Sequence, residues 1–200
     1  MIRRRATMDN MLGKLHGFVT EWTVSGDATA RTITLPLVTG YSYDCVVNWG
    51  DGTKSTVTAF DDVNRIHTYS KAGVFTVEIT GTCEGWSFND TGDKLKITDI
   101  KYWGHSTKFN GFKYLTGGFY GCSNLKSLGK GIILASGNGC SNFQDTFRGC
   151  TSLTSIPVDL FRYNVNVSKN GFYATFKNCT KLQLNKWIFY ASGEEGTRFL

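Results

Sequence analysis

The stretch FYGCSNL at residues 119–125 recurs twice further along the chain. It returns as FRGCTSL at residues 147–153 and as FKNCTKL at residues 176–182. The shared pattern is Phe-x-Gly/Asn-Cys-Ser/Thr-x-Leu, and it recurs at a nearly constant interval along the chain. A unit of this length cannot bury its apolar side alone, so neighbouring units stack into one continuous core. The pattern therefore predicts a repeat array in the second half of the chain.

Each repeat has the spacing expected of a short helix, a turn and a short strand. Another apolar residue lies four positions before each repeat phenylalanine, which is a helical spacing: Leu115, Phe143 and Phe172. One period before Leu125 lies Ile97, so the array begins near Leu95. The period of about 28–29 residues falls within the ~20–29 residues of leucine-rich repeats. We therefore expect a short leucine-rich-repeat solenoid with small helices.

The repeat cysteines Cys122, Cys150 and Cys179 are predicted to form a column of buried thiols. Column neighbours near the strand spacing of ~4.8 Å could also form disulfides, but one repeated packing niche explains all three positions. The six cysteines of the chain include no C-x-x-C pair, and its three histidines lie far from them. This spacing argues against zinc, and we predict neither a metal site nor a cofactor. The redox state of Cys45 and Cys83 stays open.

The first half of the chain has the alternation of polar and apolar residues that is typical of strands. The predicted strands cover residues 18–24, 31–35, 43–49, 54–58 and 74–80. Turn residues such as Gly-Asp-Gly separate them. Several short strands at this spacing predict a β-sandwich, so the fold class is mainly β.

Two motifs in this half resemble the polycystic-kidney-disease (PKD) domain family. They are VNWGDGT at residues 47–53 and HTYSKAGVFTV at residues 67–77. The family has a Gly-Asp-Gly turn beside a tryptophan and, later, His-x-Tyr-x-x-x-Gly-x-Tyr-x-Val; Phe75 stands here where the second tyrosine is usual. The resemblance implies an Ig-like sandwich, found on extracellular and virion proteins as a spacer or binding module.

The residues of these motifs are expected to be structural. Asp51 lies between two glycines and can bond the amides of its turn, while the glycines can adopt positive φ. We therefore expect a turn-stabilising aspartate rather than a calcium ligand or a catalytic carboxylate. Trp49 at the strand end should plug the core together with Phe75 and Val77. The motif residues are Trp49, Gly50, Asp51, Gly52, His67, Tyr69 and Gly73.

The second half resembles the BspA-type leucine-rich-repeat family of bacterial surface proteins. Residues 119–125 and 146–157 carry this resemblance, and residues 97–104 look like the family's link between a PKD-like domain and its repeats. It implies an adhesin or surface recognition protein, with related modules in phage virions and no fixed catalytic residues. The predicted organisation is a basic arm (1–17), a PKD/Ig-like sandwich (18–84), a linker (85–94) and repeats (95–200).

We expect the last repeat to be incomplete, because residues 198–200 fall where the next Phe-containing segment should begin. The apolar residues at 187–190 have no recognisable polar cap, which solenoids generally need. This open end predicts association with another chain or with a continuation of this one. Residues 1–17 hold four cationic side chains and one carboxylate. The excess of positive charge in this segment is half of the chain's net charge of +6. No apolar run approaches the ~20 residues that span a bilayer, and no secretory leader is recognisable. We expect no specific nucleic-acid binding.

These observations predict a non-catalytic binding or structural protein on an exposed surface. The chain has no phosphate loop, HExxH or Gly-x-Gly-x-x-Gly motif, so we do not expect an enzyme. A leaderless chain with a basic arm favours a phage virion component, such as a capsid or tail decoration, a fibre or a host-adhesion protein. The alternatives are a BspA-like cell-surface or extracellular adhesin lacking its leader, and an accessory module of a carbohydrate-active enzyme.

The predicted partners are other virion or surface protein chains, and a glycan or a host-surface protein as ligand. Exposed aromatic, basic and amide side chains between the repeat anchors suit such ligands. The candidate binding surface consists of Lys108, Lys113, Tyr114, Tyr120, Lys126, Arg148, Arg162, Tyr163 and Lys177.

Overall fold

The computed structural model of the chain describes residues 16–129, 140–157, 160–161, 164 and 166–183. Within these ranges the fold is mainly β, as the sequence predicts, and contains no α-helix. A short 3₁₀ turn, Val63–Arg65, lies between the fourth and fifth strands. The strands are β1 (Phe18–Val24), β2 (Thr32–Thr34), β3 (Tyr43–Asn48), β4 (Lys54–Val57), β5 (Ile66–Thr68), β6 (Gly73–Cys83) and β7 (Ile97–Trp103).

Two antiparallel sheets form the first half of the molecule. The larger has the strand order β4-β3-β6-β1-β7, and the smaller pairs β2 with β5. The 11-residue β6 lies at the centre and pairs with both β1 and β3. The first strand has its predicted bounds, and the next three lie within their predicted ranges. Period-two alternation thus located these strands, because one face of each is buried and the other is not.

The two sheets share a core built around the predicted motif residues. Trp49, Tyr69, Phe75 and Val77 are buried, which confirms their predicted place. The Tyr69 ring stacks on Phe75 at a centroid distance of 3.8 Å, and its hydroxyl donates to the Trp49 carbonyl oxygen at 2.8 Å. Ile33 of β2 is fully buried in the same core. A satisfied hydroxyl lets the tyrosine lie in an apolar interior at little cost.

The repeats are built of turns, so the predicted small helices and leucine-rich-repeat solenoid are wrong for the described residues. In the middle repeat the Thr146 amide bonds the Phe143 carbonyl at 3.1 Å, and the Cys150 amide bonds the Phe147 carbonyl at 3.2 Å. These are three-residue turn bonds. Gly149 then has φ = +72°, a left-handed conformation that a right-handed helix cannot continue through.

The turns stack on one another with the period that the sequence predicts. We call this stack the turn array and each layer a rung. Amides of one rung donate to carbonyls of the next, as Phe119 does to Thr146 at 2.6 Å and Phe147 to Thr175 at 2.8 Å. The rings of Phe119, Phe147 and Phe176 stack nearly parallel, with centroids 5.5 and 5.3 Å apart. Within the described residues the rungs are centred on residues 86–90, 114–125, 142–153 and 171–182.

The segment predicted as a linker, residues 85–94, forms the first of these rungs. Trp86 and Phe88 are buried in it, and the Trp86 amide bonds the Tyr114 carbonyl at 3.1 Å. Trp86 also meets Phe18 of β1 edge-on at 5.4 Å. One hydrophobic cluster therefore runs from the sheets into the turn array.

Strand β7 corresponds to the joining segment that the sequence singles out. It pairs with β1 at the edge of the large sheet. On its other side the Ile100 amide bonds the Ser127 carbonyl at 3.1 Å, and the Trp103 indole donates to the Leu128 carbonyl at 2.8 Å. β7 thus belongs to both regions.

Candidate recognition surface

The Gly-Asp-Gly turn is held together by its aspartate. Asp51 Oδ1 accepts hydrogen bonds from the Thr53 amide at 3.0 Å and from the Thr53 hydroxyl at 2.6 Å. Its Oδ2 lies 2.8 Å from His67 Nε2. Burial alone would raise the pKa of Asp51, but the hydrogen bonds from Thr53 and His67 outweigh it and lower the pKa. The carboxylate is therefore committed to the turn.

The remaining motif residues pack around this carboxylate. The His67 ring stacks on Trp49 at 4.8 Å and meets the edge of Tyr69 at 4.6 Å. Gly50 has φ = +82°, and a Cβ atom there would lie 2.4 Å from the Thr76 carbonyl oxygen. Gly52 also has positive φ, at +94°, whereas Gly73 simply opens β6. Only glycine fits the close approach at position 50.

The repeat cysteines line the inside of the turn array as a column. Cys122, Cys150 and Cys179 are free and buried, which confirms the predicted burial. The Cys150 thiol donates to the Phe119 carbonyl at 3.2 Å, and the Cys179 thiol to the Phe147 carbonyl at 3.0 Å. Burial raises the pKa of all three, that of Cys179 to about 11. The thiols of Cys150 and Cys179 thus bond the rung before their own, and Cys45, Cys83 and Cys140 are likewise free and buried.

Three predicted surface residues form one column on the outside of the turn array. The Gly121 amide bonds the Arg148 carbonyl and the Gly149 amide bonds the Lys177 carbonyl, each at 2.8 Å. Tyr120, Arg148 and Lys177 therefore occupy equivalent places on successive rungs. We call them the basic column. The Arg148 guanidinium lies 5.0 Å from the centre of the Tyr120 ring.

The other predicted surface residues are not part of this column. Lys113 pairs with Glu84 at 2.6 Å, beside the contact of Tyr114 with Tyr41 at 5.2 Å. This group lies at the junction of sheet and array. Lys108 is exposed near Gly81, whose amide bonds the Lys108 carbonyl, and Lys126 is exposed beside Thr98 of β7. The predictions for Arg162, Tyr163 and the apolar end at 187–190 lie outside the described residues.

Two residues next to the basic column are not among the predicted surface residues. Asp145 Oδ1 accepts a hydrogen bond from Arg148 Nη1 at 3.2 Å. Tyr173 is the third member of a second outward column, after Thr116 and Gln144, and is 56% exposed. The repeat period could have revealed this second column, because Thr116, Gln144 and Tyr173 have the same spacing as the repeat cysteines. We call these three residues the tyrosine column, after its most exposed member, Tyr173.

Neither a metal-binding cluster nor a membrane-spanning helix is present in the described ranges. No group of three or more His, Cys, Asp or Glu side chains is placed there to hold a metal ion. No helix in that part of the chain could cross a membrane. No protein-family model matches the chain, and no curated protein or solved structure matches it either. The resemblances to PKD and BspA-type proteins thus remain predictions from the motifs.

Proposed function

We propose that this chain is a non-catalytic binding or structural protein on an exposed surface, and that its turn array presents the binding face. The observation that carries the proposal is the basic column: Tyr120, Arg148 and Lys177 stand in register on a backbone bonded rung to rung. Side chains held on a rigid scaffold lose little conformational entropy when a ligand binds. Such a surface suits recognition rather than bond making.

The first half serves in this proposal as a PKD-type, Ig-like sandwich that supports the array. Two antiparallel sheets with a common core support it, as do the contacts among Trp49, Asp51, His67 and Tyr69. In this proposal Asp51 and His67 have a structural role. The Thr53 hydroxyl donates to Asp51 rather than to the imidazole, which supports that role over activation of this hydroxyl by the imidazole.

The setting we propose is a phage virion, in which the protein decorates a capsid or tail or contacts the host. This rests on the PKD-like and BspA-like motifs and on the basic segment at residues 1–17. The same motifs allow a bacterial cell-surface adhesin as the second candidate. The stacked repeats favour both settings over an accessory module of a carbohydrate-active enzyme, because they supply a recognition face of their own.

Antibody labelling tests the exposed setting. Antibodies raised against residues 16–129 are applied, with gold label, to intact phage particles and to intact cells of the host that carries the gene. We expect labelled particles. Labelled cell envelopes without labelled particles would select the adhesin instead. Label found only after both are broken open would overturn the exposed surface, and preimmune serum is the control.

A further inference from the structure

The basic column carries more positive charge than its neighbours neutralise. Arg148 donates one hydrogen bond, to Asp145, and stacks over Tyr120. Lys177 is exposed, and its ammonium group has no ion pair or hydrogen bond with any residue that the structure describes. The one carboxylate that pairs with this column, Asp145, pairs with Arg148 and leaves the charge of Lys177 unpaired among the described residues.

The Arg148 guanidinium is positioned to bind a planar anion. Its side chain is 32% exposed, and the contacts with the Tyr120 ring and Asp145 hold the guanidinium in one place. A guanidinium has five N–H donors in a rigid fork that matches a carboxylate. One donor is used by Asp145, so others remain to bind an anion with little loss of side-chain freedom.

The tyrosine column lies beside the basic column along the same rungs. The Gly117 amide bonds the Gln144 carbonyl at 2.9 Å, and the Asp145 amide bonds the Tyr173 carbonyl at 3.0 Å. Phe172 and Phe176, which precede Tyr173 and Lys177, are both buried. The two residues that follow them therefore lie on the outer surface, one turn apart.

We propose that the two columns bind an acidic polysaccharide that lies across the rungs. Its carboxylates would meet Arg148 and Lys177, and the apolar face of a sugar ring would stack on Tyr173. The stacked phenylalanine rings of successive rungs are 5.5 and 5.3 Å apart, so a polymer can present equivalent groups to successive rungs. A stripe two residues wide suits a single polymer chain better than the ~800 Å² per partner of a stable protein interface.

The test compares acidic polymers with a neutral ester of one of them. Binding of the full chain to polygalacturonate, hyaluronate and alginate is measured by titration calorimetry, and fully methyl-esterified polygalacturonate serves as the neutral match. We expect binding to at least one acidic polymer that weakens as salt rises and is lost with the ester. Arg148→Ala, Lys177→Ala and Tyr173→Ala should each weaken it about tenfold, as for a lost charged hydrogen bond or an anchor ring.

Lys169→Ala and Lys181→Ala are the matched controls, because both lysines are exposed on the same part of the array but outside the two columns. An equal loss of polymer binding in these controls would show that the general positive charge of the surface explains the effect. That result would overturn the site. Binding to none of the three acidic polymers, or equal binding to the ester, would also overturn it. This inference rests on the proposed function, but the antibody labelling has a separate readout. Surface labelling without binding of an acidic polymer would refute only the proposed ligand and would leave the proposed location on an exposed surface supported.

Discussion

The large sheet and the turn array bury their apolar side chains equally well but order their backbones differently. In the sheet, β1 pairs with β6 over seven consecutive positions, and the partner strands are far apart in sequence. In the array, an amide of one rung bonds the residue that precedes its equivalent on the next rung, as the Phe147 amide bonds the carbonyl of Thr175, next to Phe176. A sheet position is thus set by long-range pairing, whereas an array position is set by its repeat.

The two regions nevertheless meet in one aromatic junction. Trp103 of β7 contacts Phe119 edge-on at 5.8 Å and Phe147 at 6.2 Å. Its ring also lies 5.6 Å from Phe18 of β1. Because these rings belong to one hydrophobic cluster, loss of one region should expose apolar surface of the other. The following predictions test how far this coupling extends.

The largest effect should come from removing a central ring in either region. Trp49→Ala in the sandwich core and Phe147→Ala in the array should each lower the free energy of unfolding by ~3–5 kcal/mol. Trp49 and Phe147 are both fully buried, so each change leaves a cavity. Calorimetric melting should show one transition that shifts as a whole in both variants, since the cores are continuous.

Val74→Ala is the control for these core variants, because this valine is 60% exposed. It should change the melting temperature little. A Phe147→Ala protein with two transitions, one of them at the wild-type temperature, would contradict the coupling. That result would instead support the predicted division of the chain at residues 85–94.

Replacement of one left-handed glycine by alanine in each region should have a smaller effect on stability, and the effect should be the same in both regions. Gly52 in the sheet turn and Gly149 in the array have φ of +94° and +72°. At both sites a Cβ atom would meet no backbone atom closer than 3.7 Å. The cost of alanine is therefore backbone strain, ~1–2 kcal/mol at either site by chemical denaturation.

Asparagine tests the same explanation at Gly149. It adopts left-handed φ more easily than alanine, and Asn178 does so at the equivalent place in the last rung, with φ = +62°. Gly149→Asn should therefore be more stable than Gly149→Ala. Equal losses of stability in these two variants would show that the cost comes from a steric clash of the added side chain rather than from backbone strain.

An acid-dependent effect is expected only in the sheet region. The lowered pKa of Asp51 means that its carboxylate contributes stability above the ordinary carboxyl pKa of ~3.9. This contribution is lost as the pH falls through the folded value. The difference in unfolding free energy between wild type and Asp51→Asn should thus shrink from pH 7 to pH 3, by ~0.2–1 kcal/mol. Asp61→Asn is the control, because this aspartate is also exposed. A difference between wild type and Asp51→Asn that stays constant with pH would exclude this linkage.

The smallest effect should be that of Ala174→Gly. Ala174 is buried and left-handed, with φ = +52°. Relief of strain gains ~1–2 kcal/mol, while a lost buried methyl group costs ~0.8 kcal/mol and glycine costs ~0.5–1 kcal/mol in chain entropy. These contributions nearly cancel, so equilibrium denaturation should show a change within ~0.5 kcal/mol. A loss above ~1 kcal/mol would show that methyl packing and chain entropy dominate over relief of strain.

Sequence reasoning located the inward-facing residues well but misjudged the backbone that carries them. Phe143 and Phe147 are four residues apart, which is a helical spacing. Two consecutive turns place both rings inside equally well, and Asp145 with φ = +54° separates those turns. Spacing alone does not distinguish a helix from a pair of turns with a left-handed residue between them.

Residues outside the repeat pattern were the hardest to assign. Trp86 and Phe88 lack the Phe-x-Gly/Asn-Cys pattern, yet they form the first rung. Nothing in the sequence around them indicates that they form a rung, because their partners lie on the next rung. The Trp86 amide bonds the Tyr114 carbonyl, and the Phe88 ring contacts Phe119. Among the surface residues, the members of the basic column could be grouped by their period, whereas the tilt of Arg148 toward its carboxylate partner depends on the turn geometry.

The sequence by itself determined the mainly β class, the strands of the first half, the stacking period and the burial of the repeat cysteines. These follow from side-chain size and polarity, which set a residue's preference for the interior at whatever position it occupies. Only the tertiary structure decided that the repeats are turns rather than helices and that residues 86–90 join the array. Backbone amides bond whichever carbonyl the packed neighbours bring within reach, and that choice is made by the neighbouring rung.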